Sequence, residues 1–368
     1  MIAHDRLSGD PGATEDDAVS LISEGDCGDA TGYPAPEEPP AQDTTVSELT
    51  FSADGNVLAV SSQVGLMVWD WREKEEIARP AEALSALRPE TVFSPFGCTL
   101  IASSPVAYET RENPVQMAHT HDLLTGTTVR HLGAQEGPDE QDRWLGSPKD
   151  IQNFDFSPDG TRMVLALDTG FTDGAGTQVI DTATGEAGEA LTDQRQYRTR
   201  FLDEDHIATN DHGSVHVWDV DSGERVRTVE GTASSWFTVR PGGTEVAFED
   251  TTGLSLVDHG TGEEVASFAR DEFETDDDPA LTQLRFDPAG ELLYAAWMVD
   301  TDQGGWRYHS YLWDVASGEN LWEDAEHDTR YRTLAFHPDG EVVAAITTDP
   351  SPPVLLDPDT YEQVGTLY

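Results

Sequence analysis

From Val46 to Tyr368 the apolar positions gather in short runs, many of them alternating with polar ones, and each run is closed by Gly, Pro or Asp. That is the pattern of strands joined by tight turns. An aromatic-ended strand, Leu49-Thr50-Phe51, meets a four-residue turn, Ser52-Ala53-Asp54-Gly55. The device returns at Phe93 with Ser94-Pro95-Phe96-Gly97, at Phe156 with Ser157-Pro158-Asp159-Gly160 and at Phe201 with the divergent Leu202-Asp203-Glu204-Asp205. It returns again at Val239 with Arg240-Pro241-Gly242-Gly243, at Phe286 with Asp287-Pro288-Ala289-Gly290 and at Phe336 with His337-Pro338-Asp339-Gly340. Pro presets φ, Asp bonds back to the chain and Gly accepts positive φ, so each is a reversal. A second strand follows, as in Arg162-Met163-Val164-Leu165-Ala166, then a third that ends at an Asp. That Asp opens another recurring turn, running from Asp122 to Gly126, Asp181 to Gly185, Asp219 to Gly223, Asp258 to Gly262 and Asp314 to Gly318, before a fourth strand. Seven such units of about 46 residues fill 46–368. Four-stranded antiparallel sheets at this period predict an all-β chain folded as a seven-bladed β-propeller.

Residues 1–45 read differently. Gly9-Asp10-Pro11-Gly12, Glu15-Asp16-Asp17 and the run from Pro34 to Pro40 supply acid, Pro and Gly with few apolar side chains. The ordering entropy of such a stretch goes uncompensated, and a disordered N-terminal tail is expected. Its apolar cluster, Ala18 to Ile22, is a candidate for an extra edge strand. Cys27 falls in this tail and Cys98 in a strand. Both are read as free thiols, since a chain this long needs no staple.

Against 71 Asp and Glu stand 21 Lys and Arg, a formal charge of −50. Nucleic acid is held by cations that neutralise phosphates, so neither it nor an anionic membrane surface is an expected partner. Salt should stabilise the fold by screening the repulsion. The acidity suits a salt-accumulating host, and equally high-GC codon usage or plain solubility. No run reaches the roughly 20 apolar residues that cross a bilayer, and Met1 to Asp10 lacks a basic-then-apolar leader. A soluble, cytoplasmic monomer without membrane insertion is expected.

Trp69-Asp70, Trp218-Asp219 and Trp313-Asp314 end third strands. With the period and the four-strand unit, these pairs make residues 46–368 resemble WD40 repeats, and the Ser-Pro-Asp-Gly turn is similar to that of other bacterial propellers. The resemblance implies a scaffold for protein–protein contact. The family's Gly-His dipeptide precedes no first strand here. The position six before Trp, where the family favours Asp, holds His212 in the fourth unit and Gln63 in the first, so the family's Asp-His-Ser-Trp hydrogen-bond set is not expected.

With the strands of a unit lettered a to d, the a–b and c–d turns share one face of the ring and the b–c and d–a connections the other. The first group is tight. The second takes the insertions, at 104–114, 168–176, 299–306 and 347–353 between b and c, and at 133–149 and 270–280 between d and a. Insertions cost little closure entropy and scaffolds carry function on loops, so that face is the expected contact surface. Its aromatic and charged candidates are Tyr108, Arg111, Trp144, Phe171, Asp173, Phe273, Trp306 and Tyr308.

Arg198, Arg200, Arg285 and Arg332 stand near the starts of innermost strands. Buried charges require partners, so pairing with Glu48, Glu90 and Asp155 is expected, with a channel that holds a small anion as the alternative. The chain lacks a Gly-x-Ser-x-Gly elbow, a His-Glu-x-x-His helix, a Walker loop and a Cys-x-x-Cys pair. His119 and His121 share a strand face, and Asp276 to Asp278 or Asp168 with Asp173 offer oxygens, yet none follows the spacing of a known metal loop. No catalytic residue, cofactor or metal is assigned. The expected function is a non-catalytic scaffold for a protein partner. A hydrolase- or lactonase-like propeller enzyme with a metal or acidic site at the channel mouth, and a small-anion sensor, are the alternatives.

Overall fold

The computed structural model describes residues 4–6, 20–23, 25–38, 40–82, 90–106, 115–131, 150–168, 176–192, 194–211, 213–231, 236–270, 279–300, 305–322, 331–347 and 352–368. Seven antiparallel sheets follow one another along the chain, and within each the strands pair in chain order. Blade 1 spans 46–82, blade 2 91–131, blade 3 150–190, blade 4 198–230, blade 5 237–269, blade 6 280–314 and blade 7 331–366. Blade 6 has three strands, with Asn320 bridging Trp313 beyond the third. His4–Arg6 adds a fifth strand to the outer edge of blade 2, His4 opposite His131. The seven-bladed propeller predicted from the repeat is the observed fold. No helix among the described residues is long and apolar enough to cross a membrane.

The turns carry the chemistry that their sequences require. Ser52 Oγ bonds Asp54 Oδ1 and the backbone of Val57, and Ser157 repeats the arrangement with Asp159 and Arg162. All seven c–d turns are capped by an Asp whose carboxylate accepts backbone N–H groups two or three residues on, from Asp70 with Arg72 to Asp357 with Thr360. Five of them reverse on a glycine at positive φ; in blades 1 and 7 Lys74 and Tyr361 take the same left-handed conformation at φ 57°.

The core lies between blades. Each second strand is covered on both faces, and in blade 1 every residue from Val57 to Ser62 is buried. Blade 1 closes the ring against blade 7: Val46, Leu49, Met67 and Trp69 pack on Val342, Ala344, Ile346 and Leu367, and Tyr368 stacks on Trp69 at 5.1 Å. Arg72 pairs with Glu341 at 2.7 Å, and His337 Nε2 lies 2.9 Å from the Gly55 carbonyl. Among the described residues this seam is made by side chains, with no strand exchanged between the termini.

The capped turns predict an acid limit. Hydroxyl and backbone donors hold Asp219, Asp314 and Asp357 below the ordinary 3.8, and Thr244, with the Thr261 hydroxyl and N–H, draws Asp258 down to about 2. A carboxylate lowered on folding contributes stability above its unfolded pKa, and that contribution is lost as pH falls through the folded value. At constant ionic strength the melting temperature should therefore drop from just under about pH 4 towards about pH 2. A melting curve unchanged down to pH 2.5 (about a unit and a half below the unfolded value) would show that the caps do not stabilise the ring.

Candidate functional site: two faces and a bridged channel

The segment expected to be a solvated tail is, among its described residues from Ser20 to Thr45, a strap laid across the a–b and c–d turns of blades 1 to 3. Of the candidate edge strand Ala18 to Ile22, Ser20 to Ile22 form no strand, and Ala18 and Val19 lie outside the described residues. The Leu21 side chain is instead buried between blades 2 and 3 with Ile101, Ile151 and Ile180, and its N–H donates to the Thr182 carbonyl at 2.6 Å. Cys27 forms a disulfide with Cys98, against the expectation of free thiols, closing a sequence separation of 71 residues. The Cys27 N–H donates to Asp54 Oδ2 (2.7 Å), Asn56 Nδ2 to Asp26 Oδ1 (2.5 Å) and the Gly32 N–H to the Leu123 carbonyl (2.8 Å). Gly32 packs backbone to backbone on Gly126, and a Cβ on either would collide with the other. Tyr33 Oη, inserted beside blade 2, donates to the Thr127 carbonyl at 2.9 Å. Composition suggested disorder because few apolar residues are present; the covalent link and bonds to neighbouring turns order the segment.

The channel cavity is lined at two levels, by residues one and three before the last residue of the innermost strands of blades 1 to 6. Glu48, Glu90, Arg198, Trp236 and Gln283 form one level, and Thr50, Val92, Asp155, Arg200, Thr238 and Arg285 the other, around a cavity of about 210 Å³. Period-two alternation in the innermost strands of six blades brings these side chains together. Glu90 of blade 2 accepts from Arg198 at 2.7 Å and Arg200 at 3.1 Å, both on blade 4, and from the Asn153 amide of blade 3. Arg285 of blade 6 reaches Glu48 of blade 1 at 2.6 Å. Both pairs are chords across the lumen, each skipping one blade. Arg198 also lies over Trp236, 3.3 Å from the ring centre. Arg332 donates instead to the Val46 carbonyl of blade 1. Pairing is thus observed for Arg198, Arg200 and Arg285, and Arg332 has a backbone partner.

Electrostatics distinguishes the three carboxylates. Burial pushes Glu90 up, but two guanidiniums and the Asn153 amide outweigh it and hold the group below the ordinary 4.5. Burial wins at Glu48, raised above the ordinary 4.5 with the Glu90 charge adding to the rise, against Arg285 and the more distant Arg198. It wins also at Asp155, raised to about 6 against the Arg200 charge and the Phe201 N–H.

On the opposite face, Trp306 and Tyr308 lie on the b–c hairpin of blade 6, whose strands Leu292–Asp300 and Trp306–Asp314 are nine residues each. Trp306 is 62% exposed. Tyr108, Arg111, Trp144, Phe171, Asp173 and Phe273 lie outside the described residues.

The histidine pair is buried within blade 2. His121, lowered to about 3 by burial and by His119, keeps its Nδ1 3.1 Å from Thr128 Oγ1. Asp276 to Asp278 and Asp173 are outside the described residues. Asp219 and Asp221 are used by the chain, Asp219 in its turn cap and Asp221 in a 3.0 Å pair with Arg162. Among the described residues the one grouping of three metal-type ligands is His337, Asp339 and Glu341, on the a–b turn of blade 7.

One polar contact went unpredicted. Trp218 Nε1 donates to Thr209 Oγ1 at 2.9 Å, and Asp211, one residue before the position considered in the sequence, holds His216 Nε2 at 2.9 Å. Strand register supplies the reason: the residue two past the Trp partner on strand b is Thr209 in blade 4 but Val60 in blade 1, where the buried Trp69 Nε1 has no partner. No protein-family model matches this chain, and no curated protein matches it.

Proposed function

We propose that this chain is a non-catalytic, WD40-like scaffold that holds a protein partner on the face carrying the b–c and d–a loops. The observation that carries the reading is the occupation of the other face, where the strap covers turns of three adjoining blades. A partner approaching the free face meets a long hairpin tipped by exposed Trp306 beside Arg307 and Tyr308, the residue types on which binding energy concentrates. The channel supports the same reading. Three of its four arginines are neutralised by carboxylates, which leaves the anion-sensor alternative with Arg332, already bonded to Val46. The ligand-type cluster on blade 7 has His337 against Gly55 and Glu341 on Arg72, an arrangement that tightens the seam.

The test is capture from native lysate at two salt concentrations with the intact protein and with Trp306→Ala/Tyr308→Ala, after circular dichroism shows both folded. One protein retained by the intact chain and lost at least about tenfold by the variant is the expected result, since truncating an aromatic anchor typically costs about 2 kcal/mol or more. Equal retention by both would move the contact away from blade 6. Capture of nothing, together with turnover of an ester or lactone substrate, would replace the scaffold by the enzyme.

A further inference from the structure

We propose that Cys27–Cys98 is a redox-controlled clasp: oxidised, it seals the strap over the cleft between blades 1 and 2; reduced, it frees the strap while the ring stays folded. Three observations carry this, and none depends on the scaffold reading. Both half-cystines are fully buried, so the bond forms part of the packed strap interface. The strap's own burial is modest: of some two dozen residues Leu21, Cys27, Ala30, Pro40 and Thr44 are buried, with Ile22 and Tyr33 partly so. Ordering some two dozen residues costs more than burying so few side chains returns, so the strap's hydrogen bonds to the turns depend on the covalent link to stay formed. Finally, the cluster that closes the ring between blades 1 and 7 uses no residue before Val46 among the described ones.

What the strap covers is apolar. Cys27 and Ala30 sit in one cluster with Val57 and Ala59 of blade 1 and Phe93 and Leu100 of blade 2. Release exposes the turn-side end of that cleft, so the reduced protein presents a surface that the oxidised protein hides. The exchange needs a dithiol as co-reactant. One of its thiolates attacks a sulfur of the pair, forming a mixed disulfide and releasing the other as thiolate. Its second thiol then displaces the protein sulfur, so that the reagent leaves as disulfide and Cys27 and Cys98 take up two electrons and two protons. Because both sulfurs are buried, attack waits on local opening of the strap. Bonds of this kind persist in oxidising compartments and are rare in the cytosol, so the clasp places the working protein in an oxidising compartment, against the cytoplasmic expectation.

The experiment is hydrogen–deuterium exchange on the full chain, oxidised, after dithiothreitol, and as Cys27→Ser. In the oxidised protein the N–H groups of Leu21, Cys27 and Gly32, each hydrogen-bonded, should exchange slowly. After reduction they should exchange at least about a hundredfold faster, with blades 4 to 6 unchanged, and Cys27→Ser should behave as the reduced form without reductant. Leu21→Ala should speed thiol release by dithiothreitol several-fold. Protection that survives complete reduction would overturn the clasp, since packing alone would then hold the strap. Exchange rising throughout the ring would make the bond a staple of the whole fold and overturn it equally. In acid-quenched host cells both thiols should resist maleimide until reductant is added; double labelling without reductant overturns the compartment.

Discussion

Replacing Glu90 with glutamine is expected to destabilise the ring by about 3–5 kcal/mol, the cost of leaving buried charge without its counter-ion. The substitution keeps size but removes the anion shared by Arg198 and Arg200 and turns one of two acceptor oxygens into an NH2, so either the arginines or the Asn153 amide lose their acceptor. Glu48→Gln is the control. Arg285, which bonds it, and the more distant Arg198 do not outweigh burial and the Glu90 charge, so that change should cost markedly less. The signs also separate with pH. Glu90, lowered on folding, contributes stability that is present above its unfolded value of 4.5 and lost as pH falls through the folded one. Asp155, raised to about 6, opposes folding at neutral pH and ceases to do so as it protonates. Between pH 7 and about 5 the wild type should hold or gain stability before the turn caps fail. Urea midpoints at pH 7 measure the first claim. A Glu90→Gln shift worth less than about 1 kcal/mol, or one equal to that of Glu48→Gln, would show that the chords do not hold the channel together.

Trp297→Ala is expected to cost about 3–5 kcal/mol, the range for removing a buried large aromatic. Trp297 is fully buried in blade 6, edge-on to Tyr311 at 5.5 Å and to Trp313 at 6.3 Å, and it donates to Glu249 of blade 5 at 2.5 Å. The side chain therefore joins two blades by packing and by a charge-assisted bond. Trp297→Phe separates the contributions: it retains most of the volume and loses the donor, so about 1.5–3 kcal/mol is expected. If the two variants have the same urea midpoint, the bond to Glu249 dominates and the packing argument for this junction fails. If Trp297→Ala instead broadens the transition, blades 5 and 6 have ceased to unfold with the rest.

The fold was legible because its signals are local and repeated. A turn such as Ser157-Pro158-Asp159-Gly160 announces itself in four residues, and seven recurrences fix a blade count that no single unit could. The channel was partly legible: strand starts placed Arg198, Arg200 and Arg285 at the axis, and the rule that buried charges need partners gave the pairing. The identity of the partners was not readable. That Arg198 and Arg200 converge on Glu90 depends on the ring diameter, which the sequence pattern does not encode. Cys27 and Cys98 were misread for a related reason. Chain length argues against needing a staple for the core, but the bond ties a poorly self-sufficient segment to that core, a task unrelated to size. Asp211, which holds His216, lies one residue before His212, and the Trp218 bond to Thr209 needed the cross-strand pairing to be seen.

The chords across the lumen bear on how such a chain changes by repeat duplication. A guanidinium and a carboxylate that meet over one intervening blade fit one spacing of their flanking strands. An added repeat between blades 2 and 4 would part Glu90 from both arginines, and one between blades 6 and 1 would part Arg285 from Glu48. Between blades 4 and 6 no chord is crossed. The junction of blades 1 and 2 crosses none either, but the strap ties those two blades through Asp54 and Cys98, so blade 5 is the unit whose duplication disturbs the ring least, and descendants with another blade number should first differ there.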